Sequence, residues 1–382
     1  MKICFFYDDI THTGGIERVI SLLCTQFAIN HKDLEIEIVS QFRSSKTLAY
    51  DFAGTKITYL SENDYDAKPH SLKRMIRILG NVLKVRKYFK QNKYDLIIGE
   101  AYPNNILLYL AGVDLSNVIA AEHVYYDYYG SLLKRLRLHI YKKCRKIVVL
   151  TSKDKECYDK HLPSEHTILI PNPVVLSEKY ESPLDSRIAI AVGRIQYQKG
   201  FDTLVDVFKK VHEKYPEWLV RIYGDGNLRS ELQQQISDAG LNGIVNLMGR
   251  SNEIYKKIRE AAFFILPSRF EGFSLVIVEA QSQGVPAVSF DCPNGPSDLI
   301  NNGVNGILVE NQNKDALYDG ICYMIEHPNE RKVMGKMVLE NVDKYSVGEY
   351  SQSYGLTQEQ ASSILKDGMI YVPTKHKDTR SH

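Results

Sequence analysis

Two glutamates, Glu271 and Glu279, are spaced so that both could face one ligand. The apolar run Phe263–Pro267 predicts a strand, a loop carries Glu271, and the following helix would place Glu279 about 7–8 Å along its axis. Between them, the N–H groups of Ser274–Val276 lack helical partners and would attract an anion. A carboxylate accepts hydrogen bonds from two sugar hydroxyls at once. The spacing indicates a binding site in layers, with a surface glutamate and a helix-face glutamate as the alternative.

Two cations, Arg194 and Lys199, flank one predicted strand-to-helix loop. The planar guanidinium and the mobile ammonium both suit phosphate oxygens, and fixed cations can neutralise a departing diphosphate without a metal ion. Gly15 and Gly224 also follow predicted strands and would let backbone N–H groups approach a phosphate. The sequence has no GxxxxGK[ST] motif and no third glycine after Gly224, so neither P-loop nor dinucleotide binding is favoured. A solvated loop is the alternative.

His123 ends a predicted strand and is followed by an aromatic loop that includes Tyr125 and Tyr126. A histidine at a strand end can donate a hydrogen bond to a sugar hydroxyl or a phosphate, and tyrosine rings can stack on sugars. We therefore take His123 as a candidate catalytic residue and the two tyrosines as candidates for acceptor binding. A histidine with purely structural partners is the alternative.

Metal chemistry is not favoured. The triplet Asp64–Asp66 resembles a DxD metal motif, but it lies in a polar loop without a preceding strand and fits a solvated turn. Asp8 and Asp9 follow the first strand and fit a loop cap better than a ligand contact. The six cysteines form no CxxC pair and no zinc-type cluster with histidine. We expect no metal and no cofactor.

Short apolar runs alternate with helical patterns in both halves of the chain. This alternation predicts βαβ units, and therefore an α/β fold of two Rossmann-like, doubly wound domains that face a central cleft. Prolines predict a linker at 173–184, between an N-terminal domain at 1–172 and a C-terminal domain at 185–345. Segment 346–382 is predicted to contain a helix and a disordered polar tail.

The formal net charge is only +2, which does not favour a nucleic-acid partner, but the charge is uneven. Residues 1–180 contain 26 Lys and Arg against 20 Asp and Glu, a net of +6, and the remainder contains 22 against 26, a net of −4. Predicted helices at Leu72–Lys90 and Leu132–Lys143 resemble helices that rest on anionic lipid, with a solvated face as the alternative. The cations of the second stretch are Lys134, Arg135, Arg137, Lys142, Lys143, Arg145 and Lys146.

The cysteine pattern fits a reducing compartment. The apolar run in the N-terminal MKICFFYDD is too short for a signal peptide. No run of about 18 apolar residues occurs. We expect a cytoplasmic protein, with peripheral attachment to the inner face of the cell membrane as an option.

Taken together, these motifs resemble the family 4 retaining glycosyltransferases, in the expected order over about residues 1–330. The motifs are GGIERVI, VGRIQYQKGFDTLVDVF, IYGDGNLRSELQ, LPSRFEGFSLVIVEAQSQGVPAVSFD and NGILVE. The resemblance implies the GT-B architecture of two Rossmann domains. It also implies that the first domain mainly holds the acceptor and the second mainly holds the donor.

The resemblance assigns roles to the residues singled out above. Arg194 and Lys199 match the diphosphate-binding pair, and Glu279 matches the ribose ligand. Glu271 matches the carboxylate near the donor sugar, and His123 matches the histidine of the first domain near that sugar.

Further donor contacts follow from the same resemblance. Gly15 matches the glycine that lies close under the diphosphate. The other positions taken as donor-binding are Gly224, Arg250, Gly272, Phe273, Ser274 and Leu275. The loop CPNGPSDLI resembles that of bacterial capsule, O-antigen and exopolysaccharide enzymes that use UDP-hexoses or UDP-N-acetylhexosamines. The segment YSVGEYSQSYGLTQEQASSIL departs from the C-terminal pattern of the family.

The hypothesis is a retaining, metal-independent glycosyltransferase of bacterial surface polysaccharide synthesis, such as capsule or lipopolysaccharide. It would move a hexose or N-acetylhexosamine from a UDP-sugar to a sugar hydroxyl of a lipid-linked glycan, at an anionic membrane surface. In a front-face attack the departing β-phosphate would take the acceptor proton. Two alternatives stay open: a UDP-sugar 2-epimerase of the same architecture, and a non-catalytic nucleotide-sugar-binding partner in a polysaccharide-assembly complex.

Overall fold

The computed structural model describes residues 1–30, 33–62, 76, 80–174 and 180–345. Within them the chain divides into two compact units, 1–173 and 174–345, and each is considered by itself. The boundary lies at the beginning of the predicted linker, and the buried Ser182 and Leu184 belong to the second unit. The predicted segment 346–382, the turn Asp64–Asp66 and most of the first half of the predicted helix Leu72–Lys90 lie outside the described residues.

The first unit is built on a parallel sheet. Its strands are β1 Lys2–Tyr7, β2 Glu35–Ser40, β3 Lys56–Tyr59, β4 Leu96–Glu100, β5 Val118–Ala121, β6 Lys146–Val149 and β7 Thr167–Leu169. They pair in the order β3-β2-β1-β4-β5-β6-β7. The helices described in this unit are α1 Gly15–Asn30, α2 Val82–Gln91, α3 Tyr102–Leu110, α4 Ser131–Tyr141 and α5 Ser152–Asp159. Strand β1 is apolar and almost wholly buried, as expected for a central strand covered on both faces.

The second unit repeats this plan. Its strands are β8 Ile188–Val192, β9 Leu219–Tyr223, β10 Val245–Gly249, β11 Phe263–Leu266, β12 Ala287–Phe290 and β13 Gly306–Val309. They are parallel, in the order β10-β9-β8-β11-β12-β13. The helices are α6 Phe201–Lys214, α7 Arg229–Asp238, α8 Ile254–Arg259, α9 Leu275–Ser282, α10 Pro296–Leu299, α11 Lys314–Glu326 and α12 Pro328–Asn341.

Each sheet has one point where the chain changes the side on which it adds strands. In the first unit β1 neighbours β4, and in the second β8 neighbours β11, although two strands intervene in sequence in both cases. Parallel sheets leave a crevice outside the carboxyl ends of their strands at such a switch point. The loops after β1 and β4, and after β8 and β11, are therefore the places where ligand-binding side chains are expected.

The predicted α/β class with two doubly wound sheets is confirmed. Helix α12 was not predicted. His327 has non-helical backbone angles and ends α11, and Pro328 then begins a new helix because proline suits the first turn. Helix α12 packs on α9, and its buried face includes Met334 and Val338. None of the described helices is both long and apolar enough to cross a membrane.

Candidate active site

Two glycines let the loops of the second unit approach one another at the switch point. Gly200, before α6, has a φ of 63°, and a Cβ atom there would lie 2.0 Å from the carbonyl oxygen of Pro267. Gly224, after β9, has a φ of 140°, and its Cβ would lie 1.9 Å from the carbonyl oxygen of Gly193. Since no side chain fits at either position, only glycine allows this spacing. The loops after β8, β9 and β11 are thereby drawn together.

The ammonium of Lys199 and the carboxylate of Glu271 form an ion pair between the loops after β8 and β11. The distance from Lys199 Nζ to Glu271 Oε1 is 2.8 Å. The Oγ atom of Ser268 donates to the same oxygen at 2.6 Å. Both charged side chains are largely buried, with exposed fractions of 14% and 6%. An ammonium has three donors, so Lys199 keeps N–H groups for a further anionic oxygen.

Arg269 joins the same two loops by a different set of contacts. Its guanidinium donates to both carboxylate oxygens of Asp202, at 2.8 and 2.6 Å, and to the carbonyl oxygen of Tyr197 at 2.7 Å. The guanidinium carbon lies 4.1 Å from the centroid of the Tyr197 ring. Burial opposes ionisation of Asp202, but the bonds from Arg269 outweigh it and lower the pKa of that carboxyl. Sequence reasoning missed this pairing, although Arg269 stands two residues before Glu271.

Arg194 and Arg250 are exposed and follow β8 and β10. Among the residues that the structure describes, Arg194 has no carboxylate within ion-pair distance. Arg194 therefore offers a positive charge to an anionic ligand on the same loop that carries Lys199.

The amino end of α9 lies in the same region. Ser274 precedes α9 in the left-handed conformation, with φ 67° and ψ 53°, and its side chain makes no capping hydrogen bond. Its hydroxyl is buried and has no hydrogen-bond partner among the residues that the structure describes. A Cβ atom on Gly295 would lie 2.7 Å from the carbonyl oxygen of Phe273, so the loop after β12 also passes close by. The first N–H groups of a helix attract anions.

Glu279 and Glu271 are both buried, with exposed fractions of 4% and 6%. Neither is therefore a surface carboxylate, which was the alternative drawn from their spacing. Glu279 lies on α9 and Glu271 on the loop before it, with Gly272, Phe273, Ser274 and Leu275 between them. The segment thus has the order that the sequence predicted: a loop carboxylate, a helix end and a helix carboxylate.

In the first unit, His123 is paired with a glutamate that the sequence analysis did not single out. The distance from His123 Nε2 to Glu100 Oε2 is 2.6 Å, and both side chains are buried. Glu100 ends β4 at the switch point, and the next residue, Ala101, has a φ of 68° that alanine rarely adopts. The amide of Asn104 donates to the carbonyl oxygen of Glu100 and fixes this turn. In the sequence, Glu100 stands directly after the apolar run at 96–99, and that position was the signal that could have identified it as a candidate site residue.

Two carboxylates that follow β1, one in the loop and one in the first turn of α1, have structural partners. Asp9 is fully buried and accepts from the N–H and hydroxyl groups of Thr11 and Ser44, so the predicted loop cap is what the structure has. Gly15 begins α1. Glu17, in the first turn of α1, accepts from the Tyr7 hydroxyl at 3.1 Å, and burial raises the pKa of its carboxyl.

Tyr125 is half-buried, whereas Tyr126 is buried and its backbone is held on both sides. The N–H of Tyr126 donates to Asp154 Oδ1 at 2.8 Å, and its carbonyl oxygen accepts from Arg137 Nη2 at 2.5 Å. The Arg137 guanidinium is wholly buried, and its carbon lies 5.0–5.7 Å from four tyrosine ring centroids, those of Tyr102, Tyr126, Tyr129 and Tyr158. The prediction that Arg137 belongs to a lipid-facing stretch is therefore wrong. A count of cations does not reveal which side of a helix is buried.

No group of three or more His, Cys, Asp or Glu side chains with metal-site geometry occurs among the described residues. The second switch point is surrounded by two cations, Arg194 and Lys199, by the amino end of α9, and by two carboxylates, Glu271 and Glu279. The cations and the helix end can bind the negative charge of a diphosphate, and the carboxylates can accept hydrogen bonds from the hydroxyl groups of a ribose or hexose.

Two family models match the chain, one in each half, and their matches overlap at residues 175–178. The model for "Glycosyltransferase Family 4" matches residues 13–178, and the model for "Glycosyl transferases group 1" matches residues 175–339. The amylovoran biosynthesis glycosyltransferase AmsD of Erwinia amylovora is 24% identical, over 90% of this chain and 95% of its own length.

A second relative comes from Campylobacter jejuni. It is an α-1,4-N-acetyl-D-galactosaminyltransferase whose name gives an undecaprenol-diphosphate-linked saccharide as its substrate, and it is 26% identical over 87% of this chain and 91% of its own length. Among solved structures, a variant of S. aureus TarM bound to fondaparinux, α-GlcNAc-glycerol and UDP has a TM-score of 0.74 at 15% identity. The alignment covers 96% of this chain and 100% of that one, and it supports a common fold.

Proposed function

Because the chain belongs to the family 4, group 1 glycosyltransferases of GT-B fold, we propose that it transfers a hexose or N-acetylhexosamine from a UDP-sugar to a glycan hydroxyl with retention. The observation that carries the proposal is the Lys199–Glu271 ion pair at the second switch point, together with Arg194, which has no carboxylate within ion-pair distance among the described residues. A diphosphate would supply the counter-charge for Arg194 and would accept from the remaining N–H donors of Lys199. The polysaccharide roles named for AmsD and other relatives support the general class of reaction.

The donor's parts would be held in the second unit. Arg194, the free donors of Lys199 and the amino end of α9 would bind the diphosphate. Glu279 would accept from the ribose hydroxyls, and Glu271 would lie nearest the transferred sugar. Arg250, exposed after β10, would stand at the nucleotide end.

The state of Glu271 favours front-face attack over a double displacement. Glu271 Oε1 accepts from both Lys199 and Ser268, and these two bonds lower the nucleophilicity of the carboxylate that a double displacement would use. In the proposed step the acceptor oxygen forms its bond to the anomeric carbon as the bond to the β-phosphate breaks. The departing phosphate takes the acceptor proton. Lys199 and Arg194 stabilise the charge on that phosphate without a metal ion.

The acceptor would be held by the first unit, through His123, its partner Glu100, and Tyr125. We assign a lipid-linked glycan as its class, at the inner face of the cell membrane. The undecaprenol-linked saccharide in the name of the Campylobacter relative supports this assignment. The residues after β5 offer hydrogen-bond donors and an aromatic surface, which suit a neutral sugar.

A thermal-shift series with UDP-, GDP- and ADP-sugars tests the donor. A UDP-sugar at 100 times its dissociation constant should add about 2.7 kcal/mol to the free energy of unfolding, and the other two should add little. A stabilising effect of GDP- or ADP-sugars alone would contradict the choice of base. Incubation with the stabilising donor in acceptor-free buffer separates the alternatives. Conversion to an epimer would identify a 2-epimerase, and binding without turnover on any glycan would identify a non-catalytic partner.

A further inference from the structure

Three helices of the first unit form a row that carries no acidic side chain. Helix α2 packs on α3, and α3 packs on α4, and their sequences contain no Asp or Glu. Arg86 Nε on α2 donates to the carbonyl oxygen of Ala111, directly after α3, at 3.0 Å. Lys143, directly after α4, lies 4.8 Å from the centroid of the Tyr109 ring on α3. The outer sides of the three helices are therefore neighbours, and we call them the α2–α4 face.

The α2–α4 face combines exposed leucines with exposed cations. Its exposed leucines are Leu83 at 73%, Leu110 at 39%, Leu132 at 79%, Leu133 at 43% and Leu136 at 38%. Its exposed cations are Lys84, Arg86, Lys87, Lys90, Arg135, Lys142 and Lys143. Large apolar side chains and cations in one area, without acids among them, are typical of a surface that rests on anionic lipid.

The internal arrangement of α4 shows how selectively this face is built. Arg137, the one buried cation of α4, points inward and holds the Tyr126 carbonyl, so it leaves no charge on the face. Leu132 and Leu136 are one helical turn apart on the exposed side, and Arg135 and Lys142 flank them. Asp127, the nearest acid before α4, is bound by Lys134. Within the described part of the chain, Arg135 and Lys142 have no carboxylate at ion-pair distance, so the exposed side of α4 presents free positive charge around two leucines.

From this charge complementarity we infer that the α2–α4 face docks on an anionic lipid bilayer, with Leu132 and Leu136 entering the acyl region and the surrounding cations contacting headgroup phosphates. The inference rests on the proposed lipid-linked acceptor and names the surface that brings the enzyme to it. Anionic leaflets attract each nearby Lys or Arg, and leucine side chains gain stability when they leave water. A partner protein would have to match these cations with carboxylates at fixed positions, whereas an anionic lipid surface offers phosphates wherever the cations lie.

Flotation of the full chain with lipid vesicles tests the inference. The chain should float with phosphatidylcholine vesicles that contain about one-third phosphatidylglycerol, and roughly tenfold less with pure phosphatidylcholine. Raising the salt from about 0.05 to 0.5 M should weaken flotation, because the surface charges are then screened. Absence from the anionic vesicles at low salt, or equal binding to both vesicles at both salts, would overturn the inference.

Two pairs of variants locate the contact. Leu132→Ser with Leu136→Ser, and Arg135→Glu with Lys142→Glu, should each reduce partitioning to anionic vesicles at least tenfold. Matched controls on exposed sites of the second unit are Val333→Ser with Met248→Ser, and Lys332→Glu with Lys336→Glu, and these should float like the parent. Equal loss in a control pair, or no loss in the test pairs, contradicts the assignment of the face.

A parallel measurement separates this inference from the proposed function. Stabilisation by the UDP-sugar, measured on the same variants in solution without lipid, should be unchanged, because none of the four positions lies in the donor site. Loss of flotation with intact donor binding supports the face. Intact flotation with no donor binding in the parent would remove the proposed function and leave the lipid contact standing. Size-exclusion chromatography of the leucine variants completes the test: conversion of a dimer to a monomer would reassign the face to self-association.

Discussion

Lys199 on the loop after β8 and Glu271 on the loop after β11 are 72 positions apart in sequence, and their charged atoms lie 2.8 Å apart. The pair keeps a buried ammonium and a buried carboxylate compensated. Arg194, on the same loop as Lys199, has no carboxylate within ion-pair distance among the described residues. The free protein is thus prepared for one additional anionic group at this edge of the sheet.

Replacing either cation by alanine should lower turnover by about a hundredfold or more, because each stabilises the departing diphosphate. The two variants should differ in stability. Arg194→Ala removes an exposed side chain and should leave the melting temperature unchanged, whereas Lys199→Ala leaves Glu271 without its counter-charge and should lower it. Steady-state kinetics and thermal unfolding measure the two effects. Lys256→Ala, at an exposed lysine of α8, is the control, and near-normal turnover of both test variants would refute the assignment.

Gly200→Ala should prevent the loop after β8 from approaching the loop after β11. Its Cβ would lie 2.0 Å from the Pro267 carbonyl oxygen, so the variant is expected to be several kcal/mol less stable or insoluble. Gly240→Ala is a matched control, because Gly240 has a similar φ of 73° but open space around the Cβ position. That variant should lose only about 1–2 kcal/mol, from the left-handed backbone conformation alone. Urea unfolding measures the free energy of unfolding of both variants. An equal decrease in the two would contradict the idea that the close approach to Pro267 is the reason for a glycine at position 200.

Glu37 on β2 should make the protein sensitive to acid. Burial opposes its ionisation, but hydrogen bonds from Tyr88, Thr58, Tyr94 and Lys56 outweigh burial and lower its pKa from 4.5 to about 2. A carboxyl with a lowered folded-state pKa stabilises the fold above its unfolded pKa, and this stability is lost as the pH falls toward about 2. The contribution is on the order of 3 kcal/mol.

The variant Glu37→Gln tests this linkage. It should be less stable than the parent at pH 7, and the difference in free energy of unfolding should shrink between about pH 4.5 and pH 2. Glu62→Gln removes an exposed carboxylate that pairs with Arg43 at the surface, so it should change stability little at any pH. A difference that stays constant with pH would show that Glu37 acts through packing rather than charge.

Glu100→Gln should reduce turnover without weakening donor binding. The carboxylate of Glu100 fixes the His123 ring through Nε2, and an amide in its place removes the negative charge while keeping the shape. Turnover is expected to fall roughly tenfold to a hundredfold, as for loss of a partner that orients a functional histidine ring. Donor-induced stabilisation, which depends on residues of the second unit, should be unaffected. Unchanged kinetics would leave the pair with a purely structural role.

Much of the fold could be predicted because its signals are local. Strand-length apolar runs, helical periodicity and loop glycines lie within a few residues of one another, and they predicted both doubly wound sheets. The same local reading placed Glu271 on a loop and Glu279 on the helix after it. It missed α12, because it did not treat Pro328 as the start of a new helix.

The sequence by itself determined which chemical groups follow which strands, since the order of elements along the chain fixes that. Only the tertiary structure decided which of those groups meet. Strand order brought β8 beside β11 and β4 beside β5, and so paired Lys199 with Glu271 and Glu100 with His123. It also buried Arg137 among tyrosines while leaving Leu132 in solvent. Pairing and burial depend on contacts between residues distant in sequence, and composition carries no record of those contacts.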